Sequence, residues 1–125
     1  MIHLDTCVLV DALTGPRRSA PSLRRLIVEG ERVSFSTVVL YEWRRGPRQA
    51  QELEAQDVLF PSDAAAAFGA AEAALAAELY RRVRKPRGRE IDLAIAACAM
   101  VHDAGFWTLN RADFTDIPGL RLVEP

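Results

Sequence analysis

Short apolar runs alternate along the chain with longer segments whose apolar residues recur at helical spacing. Ile2 to Leu4 reads as a short strand, and "TCVLVDAL" continues from it as a helix, with Thr6 placed to cap the first turn. Gly15-Pro16 breaks the chain. Leu23, Leu26 and Ile27 in "SAPSLRRLIVEG" then stand at three- and four-residue spacing before Gly30, which predicts a second helix. Val33 to Ser36 begins another strand. The next piece, "STVVLYEWRRG", reads both ways: Val38, Val39, Tyr41 and Trp43 favour a strand, whereas Ser36 or Thr37 could cap a helix ending at Gly46-Pro47.

Further on, Gln49 to Gln56 suits a helix and "DVLF" a strand. The alanine-rich stretch from Asp63 to about Lys85 predicts a long helix with a weak point at Gly69, halted by Pro86. A helix from about Arg89 to Asp103 follows, then a strand at Phe106 to Leu109, a short helical turn, and a last strand at Leu120 to Val123. Strands alternating with helices predict an α/β fold: a three-layer α/β/α sandwich around a mainly parallel central sheet. The loops at the carboxyl ends of such strands form the natural site.

The length of 125 residues and the absence of a repeat or linker predict a single domain over residues 1–125. Half of the residues are hydrophobic and 26% are charged, the balance of a globular chain. No apolar run reaches membrane-spanning length and the start lacks the pattern of a signal peptide, so a soluble, cytoplasmic protein is expected. Cys7 and Cys98 match no ligand spacing and read as small packed side chains, neither disulfide partners nor nucleophiles. His3 and His102 read as structural. The net charge of -1 argues against a generally basic nucleic-acid binder, yet "RRVRKPRGR", Arg81 to Arg89, is a concentrated basic stretch.

Four acids stand out against this frame. Asp5 directly follows the first apolar strand, a position where an acid also serves as a helix cap. Glu42 lies among Leu40, Tyr41 and Trp43. Asp92 shares a helix face with Ile95, Ala96 and Ala99, the face that should be buried, so it needs a partner or a cation, although an acid in a helix's first turn beside Glu90 is also favoured by the dipole. Asp113 follows a strand in "TLNRADF", where a turn stabilised by Asn110 and Asp113 themselves would explain it equally well.

A parallel sheet gathers three of these four positions along one edge. Two ionised carboxylates about 4 Å apart repel by roughly 4 kcal/mol at an effective dielectric near 20, so a cluster requires a counter-charge. No lysine or arginine is local to Asp5 or Asp92 on their apolar faces, and an all-oxygen ligand set selects a hard cation, Mg²⁺ or Mn²⁺. Asp11, further along the first predicted helix, reads as an ordinary surface acid.

At "LDTCVLVDAL", "STVVLYE", "REIDLAIAACAMVHDAGFWTLNRADF" and "IPGLRL" the chain resembles PIN domains, and among them the VapC-type toxins of bacterial toxin–antitoxin pairs. The resemblance covers essentially the whole chain. It implies that Asp5, Glu42, Asp92 and Asp113 are the family's acidic quartet, and it favours the helical reading of "STVVLYEWRRG". It further implies an endoribonuclease dependent on Mg²⁺ or Mn²⁺, silenced by a cognate antitoxin and commonly a homodimer.

On that basis Asp5, Asp92 and Asp113 are expected as metal ligands, with Glu42 holding a second ion or orienting the attacking water. Hydrolysis of RNA would leave a 5′-phosphate and a 3′-hydroxyl. Thr6, Thr108 and Asn110 are candidates for fixing the carboxylates or contacting the scissile phosphate. Arg87 and Arg89 are candidates for the RNA backbone.

Three other readings stand beside this one. A catalytically silent RNA- or protein-binding module could share the fold. A phosphoacceptor receiver domain would need an acid pair after the first strand, whereas Asp5 has no acidic neighbour and the only lysine is Lys85. A structure-specific DNA nuclease of the wider group would carry insertions that a chain this short hardly accommodates.

Overall fold

The computed structural model describes residues 1–125. Three short strands, β1 (Ile2–Leu4), β2 (Val33–Ser34) and β3 (Gly105–Trp107), form a parallel sheet in the order β2-β1-β3. His3 of β1 stands level with Ser34 on one side and Phe106 on the other. The central strand is buried throughout, which is why Ile2, His3 and Leu4 show no exposed alternate face.

Six helices complete the α/β/α sandwich: α1 (Thr6–Leu13), α2 (Ala20–Val28), α3 (Thr37–Arg45), α4 (Ala50–Leu59), α5 (Ala70–Arg82) and α6 (Glu90–Val101). Helix α6 packs on β3 and α5, and α1 lies against α2, α3 and α4. None of them is long and apolar enough to cross a membrane. Every residue of α6 from Leu93 to Ala99 is buried, and the alanines there let neighbouring backbones approach closely. At the far end of α6, His102 lies 5.4 Å, centroid to centroid, from the buried ring of His3. Burial and the neighbouring imidazole push His3 down to about 4, so it packs as a neutral ring.

The ambiguous segment is a helix. Ser36 caps α3, its hydroxyl accepting from the Val39 N–H at 3.2 Å, and Val39 and Trp43 turn into the core. The β-branched residues yield because their helical face buries Trp43, over whose ring Arg48 stacks at 4.3 Å.

Three expected elements differ. "DVLF" is not a strand: α4 continues to Leu59, leaving Val58 and Leu59 exposed, and the Gln56 amide caps its end on the Phe60 carbonyl at 2.8 Å. The alanine-rich helix begins at Ala70 rather than Asp63. Its first residues instead form a single 3-10 turn at Ser62–Ala64 and then an extended piece in which Ala66 pairs with Ser36. Tertiary hydrogen bonds, Ala66 N–H to the Phe35 carbonyl and Thr37 N–H to the Ala66 carbonyl, override alanine's helical preference. Gly69 precedes the first turn of α5, its N–H donating to Glu72.

The last expected strand is reduced to one bridge, Phe106 with Leu122. Gly105 makes that approach possible, since a Cβ there would stand 2.6 Å from a Val123 methyl.

Candidate active site

The carboxyl end of β1 turns into α1 at Asp5, whose extended backbone makes it the N-cap, with Thr6 as the first helical residue. The expected cap is thus displaced by one position. Asp5 Oδ1 accepts from the Thr6 N–H at 2.8 Å, while Oδ2 accepts from the Thr108 hydroxyl at 2.7 Å and the Cys7 thiol at 3.4 Å. The freed Thr6 hydroxyl donates instead to Glu42 Oε1 at 2.7 Å, tying α1 to α3. Glu42 Oε2 meets Arg45 at 3.3 Å.

Asp5 is buried, and burial raises its pKa above the ordinary carboxylate value. Hydrogen bonds from Thr108, Cys7 and Thr6 pull it back, and the charge of Glu42 adds to the rise. Asp92, in the first turn of α6 and half-buried, is pushed up to about 6. Burial is the largest cause, followed by the negative charges of Asp5, Glu42 and Asp113, with Arg89 opposing. The structure therefore brings all four acids into one electrostatic neighbourhood. Asp113 is the exposed member, at the end of a 3-10 turn, Arg111–Asp113, just beyond β3.

The chemistry of this set suits a hard cation: every donor is a carboxylate oxygen, and their mutual repulsion is what a cation would relieve. No three carboxylate, imidazole or thiol groups close into a ligand set. Asp5 and Asp92 would hold such an ion, with Asp113 on the exposed turn and Glu42 on the α3 side.

Several neighbours emerge only from the fold. Cys7 donates to Asp5 while its sulfur accepts from the Leu109 N–H at 3.3 Å, so it lines the site rather than merely filling space. Burial and the Asp5 charge push its thiol up, which keeps it a protonated donor. Thr108 both donates to Asp5 and accepts from the Asn110 N–H at 3.0 Å. Asn110 itself is exposed at the rim. Asp116, which no sequence pattern singled out, forms a two-pronged pair with Arg89 at 2.7 and 2.8 Å. Arg87 is exposed. Asp11 is not a free surface acid: half-buried, it accepts from the Ser19 N–H at 2.7 Å ahead of α2.

The family model of the PIN domain matches residues 2–120. The chain belongs to the PIN domain family. It is 34% identical over 120 residues to Ribonuclease VapC19 of Mycobacterium tuberculosis, covering 94% of this chain and 95% of that one. Among solved structures it is similar to VapBC2 of Rickettsia felis bound to a DNA fragment from their promoter, with TM-score 0.73 at 23% identity over 98% of each chain. It is likewise similar to DNA-bound VapBC of Salmonella typhimurium, with TM-score 0.74 at 20% identity over 98% of this chain and 96% of that one. At those identities the solved structures speak for the PIN fold. In this PIN domain Asp5 and Asp113 follow the carboxyl ends of β1 and β3, while α6 and α3 carry Asp92 and Glu42.

Proposed function

We propose that this PIN domain is the toxin of a toxin–antitoxin pair, an endoribonuclease that hydrolyses RNA with Mg²⁺ or Mn²⁺ held by Asp5, Asp92 and Asp113. One observation carries the reading: acids from four separate elements, Asp5, Glu42, Asp92 and Asp113, stand close enough to repel one another, a repulsion that a divalent cation would relieve. The 34% identity to a protein named as a ribonuclease supports RNA as the substrate.

A bound hard cation would supply Lewis-acid charge at the scissile phosphate and acidify water. The chain's own residues do the rest. Thr6, Cys7 and Thr108 fix the Asp5 carboxylate, so it need not reorganise when charge develops. Glu42, held by Thr6, is placed to orient the attacking water or a second ion. Thr6 and Asn110 are our candidates for contacting the scissile phosphate, and Arg87, exposed within the basic stretch, for steering the RNA backbone.

For partners we propose a cognate antitoxin and a homodimer. An apolar cleft of about 390 Å³ between α1, α2 and α4, lined by Leu13, Leu23, Ile27, Ala55 and Leu59, supports a protein partner. Co-expression with the neighbouring gene's product, followed by mass measurement of the purified complex, tests this part.

The test of the activity is digestion of RNA with Mg²⁺, with Mn²⁺ and with EDTA, and identification of the new ends. The expected result is divalent-dependent cleavage leaving a 5′-phosphate and a 3′-hydroxyl, abolished in a folded Asp5→Asn protein. Cleavage that persists in EDTA, or full activity in the Asn variant, would sink the reading. Divalent-independent RNA binding without cleavage would favour a catalytically silent module.

A further inference from the structure

Arg89 occupies an unusual place: it immediately precedes α6, three residues ahead of Asp92, yet its guanidinium turns toward the segment that carries Asp113. Nη1 and Nη2 form parallel bonds to the Asp116 carboxylate at 2.8 and 2.7 Å, and Nη2 also donates to the Asp113 backbone carbonyl at 2.8 Å. The Arg89 side chain is only 20% exposed although Asp116 is 47% exposed. This fork joins residues 24 and 27 positions apart in the chain.

The other backbone bonds of the segment it grips are local, Asp113 N–H to the Asn110 carbonyl at 3.0 Å, Phe114 N–H to that of Arg111 at 2.9 Å and Ile117 N–H to that of Phe114 at 3.2 Å. Residues 111–113 form a single 3-10 turn, and beyond it Phe114 and Ile117 anchor the chain through apolar packing, Phe114 lying 4.9 Å from the Phe106 ring. Apolar anchors fix where the segment sits and the bonds of the 3-10 turn fix its internal shape, but none of those bonds reaches α6. A bidentate guanidinium with a third bond to the Asp113 carbonyl supplies that link.

We propose that Arg89 is a positioning residue, which with Asp116 clamps the Asp113 turn onto the start of α6 and so sets the spacing of the Asp92 and Asp113 carboxylates. This rests on the proposed metal-dependent activity and assigns Arg89 a role other than RNA contact. A lysine cannot replace it, because an ammonium lacks the planar fork that satisfies Asp116 and the carbonyl together.

Asp116→Ala separates the two roles by sign. If Arg89 served RNA, removing its acidic partner would free a cation and tighten RNA binding. If it is the clamp, the same change lowers kcat by about tenfold or more while KM for an RNA oligonucleotide stays within about twofold, since small misplacement of a reacting group falls mainly on the chemical step. Three readouts accompany it: kcat and KM, Mn²⁺ affinity measured by calorimetry on the intact protein, and hydrogen exchange at residues 111–117. The clamp predicts weaker Mn²⁺ binding and faster exchange at residues 111–117 in both Asp116→Ala and Arg89→Lys, with the thermal transition retained. Should either variant fail to fold, the other carries the test, and Asp116→Asn, which keeps the size of the side chain, gives a third.

Wild-type protein that cleaves no RNA would overturn the activity but not the clamp, which is then judged by exchange and Mn²⁺ affinity. Wild-type exchange, Mn²⁺ affinity and kcat in Asp116→Ala, or tighter RNA binding in that variant, would overturn the clamp while leaving the activity in place.

Discussion

Replacing Asp92 by Asn should stabilise the metal-free protein at neutral pH. Raising a carboxyl from 3.8 to about 6 corresponds to about 3 kcal/mol of unfavourable interaction in the ionised form. Asp92 is only half-buried, and solvent screening reduces this to about 1–2 kcal/mol. Loss of the acid's interaction with the start of α6 returns about 0.5 kcal/mol, leaving a net gain of about 1 kcal/mol. For a domain of this size that is a rise in Tm of about 4 °C.

The sign follows from which state holds the proton more tightly. The folded-state pKa of Asp92 lies above the unfolded value, so its stabilising contribution is present below about pH 4 and disappears as pH rises through about 6. The Asn variant should therefore match or trail the wild type near pH 4 and exceed it above pH 6. Thermal unfolding followed by circular dichroism in EDTA, at several values between pH 4 and 7.5, measures this. In millimolar Mn²⁺ the order should reverse, because the ion binds the folded wild type and adds stability by mass action. An Asn variant no more stable than wild type at pH 7.5 in EDTA would refute the electrostatic reasoning, as would a gain independent of pH.

Three further outcomes are expected. Thr108→Val removes the hydroxyl that bonds Asp5 at 2.7 Å and accepts from the Asn110 N–H, and should cost about 1–3 kcal/mol in urea unfolding as well as weaken Mn²⁺ binding. Arg87→Ala should weaken RNA binding about equally for different sequences, and lower the slope of log affinity against log salt by about 0.7, with kcat unchanged. Trp43→Ala empties a fully buried site and should destabilise the chain by about 3–5 kcal/mol in the same urea assay, enough to threaten folding.

Much of the site was legible because its acids violate local patterns. Asp92 on an otherwise apolar face, and Asp5 directly after a core strand, each have a local explanation at a helix start, but their apolar surroundings mark them for more than that. Sheet topology then does the gathering, since parallel strands deliver their carboxyl ends to one edge. What stayed hidden depends on pairing across the chain. Nothing near Asp116 announces that it meets Arg89, and nothing near Cys7 announces the Asp5 and Leu109 contacts, because both rest on elements brought together only by packing. The same reason accounts for the elements that differ: "DVLF" has strand propensity but is held at the end of α4, where the Phe60 N–H bonds the Gln56 carbonyl and the Phe60 ring packs on Phe35, and the alanines before Ala70 exchange helical bonds for pairing beside Ser36. The short "STVVLYEWRRG" was ambiguous locally and was decided by where Val39 and Trp43 find a core.

Diffraction from a crystal soaked in Mn²⁺, recorded for its anomalous signal, tests most directly whether these four acids form one metal centre. The account predicts a peak with Asp5 and Asp92 oxygens at about 2.2 Å, near the distance expected for hard divalent ions, and Asp113 reaching it directly or through water. A soaked crystal with no anomalous peak beside Asp5 and Asp92, or with Mn²⁺ bound only elsewhere, would contradict it.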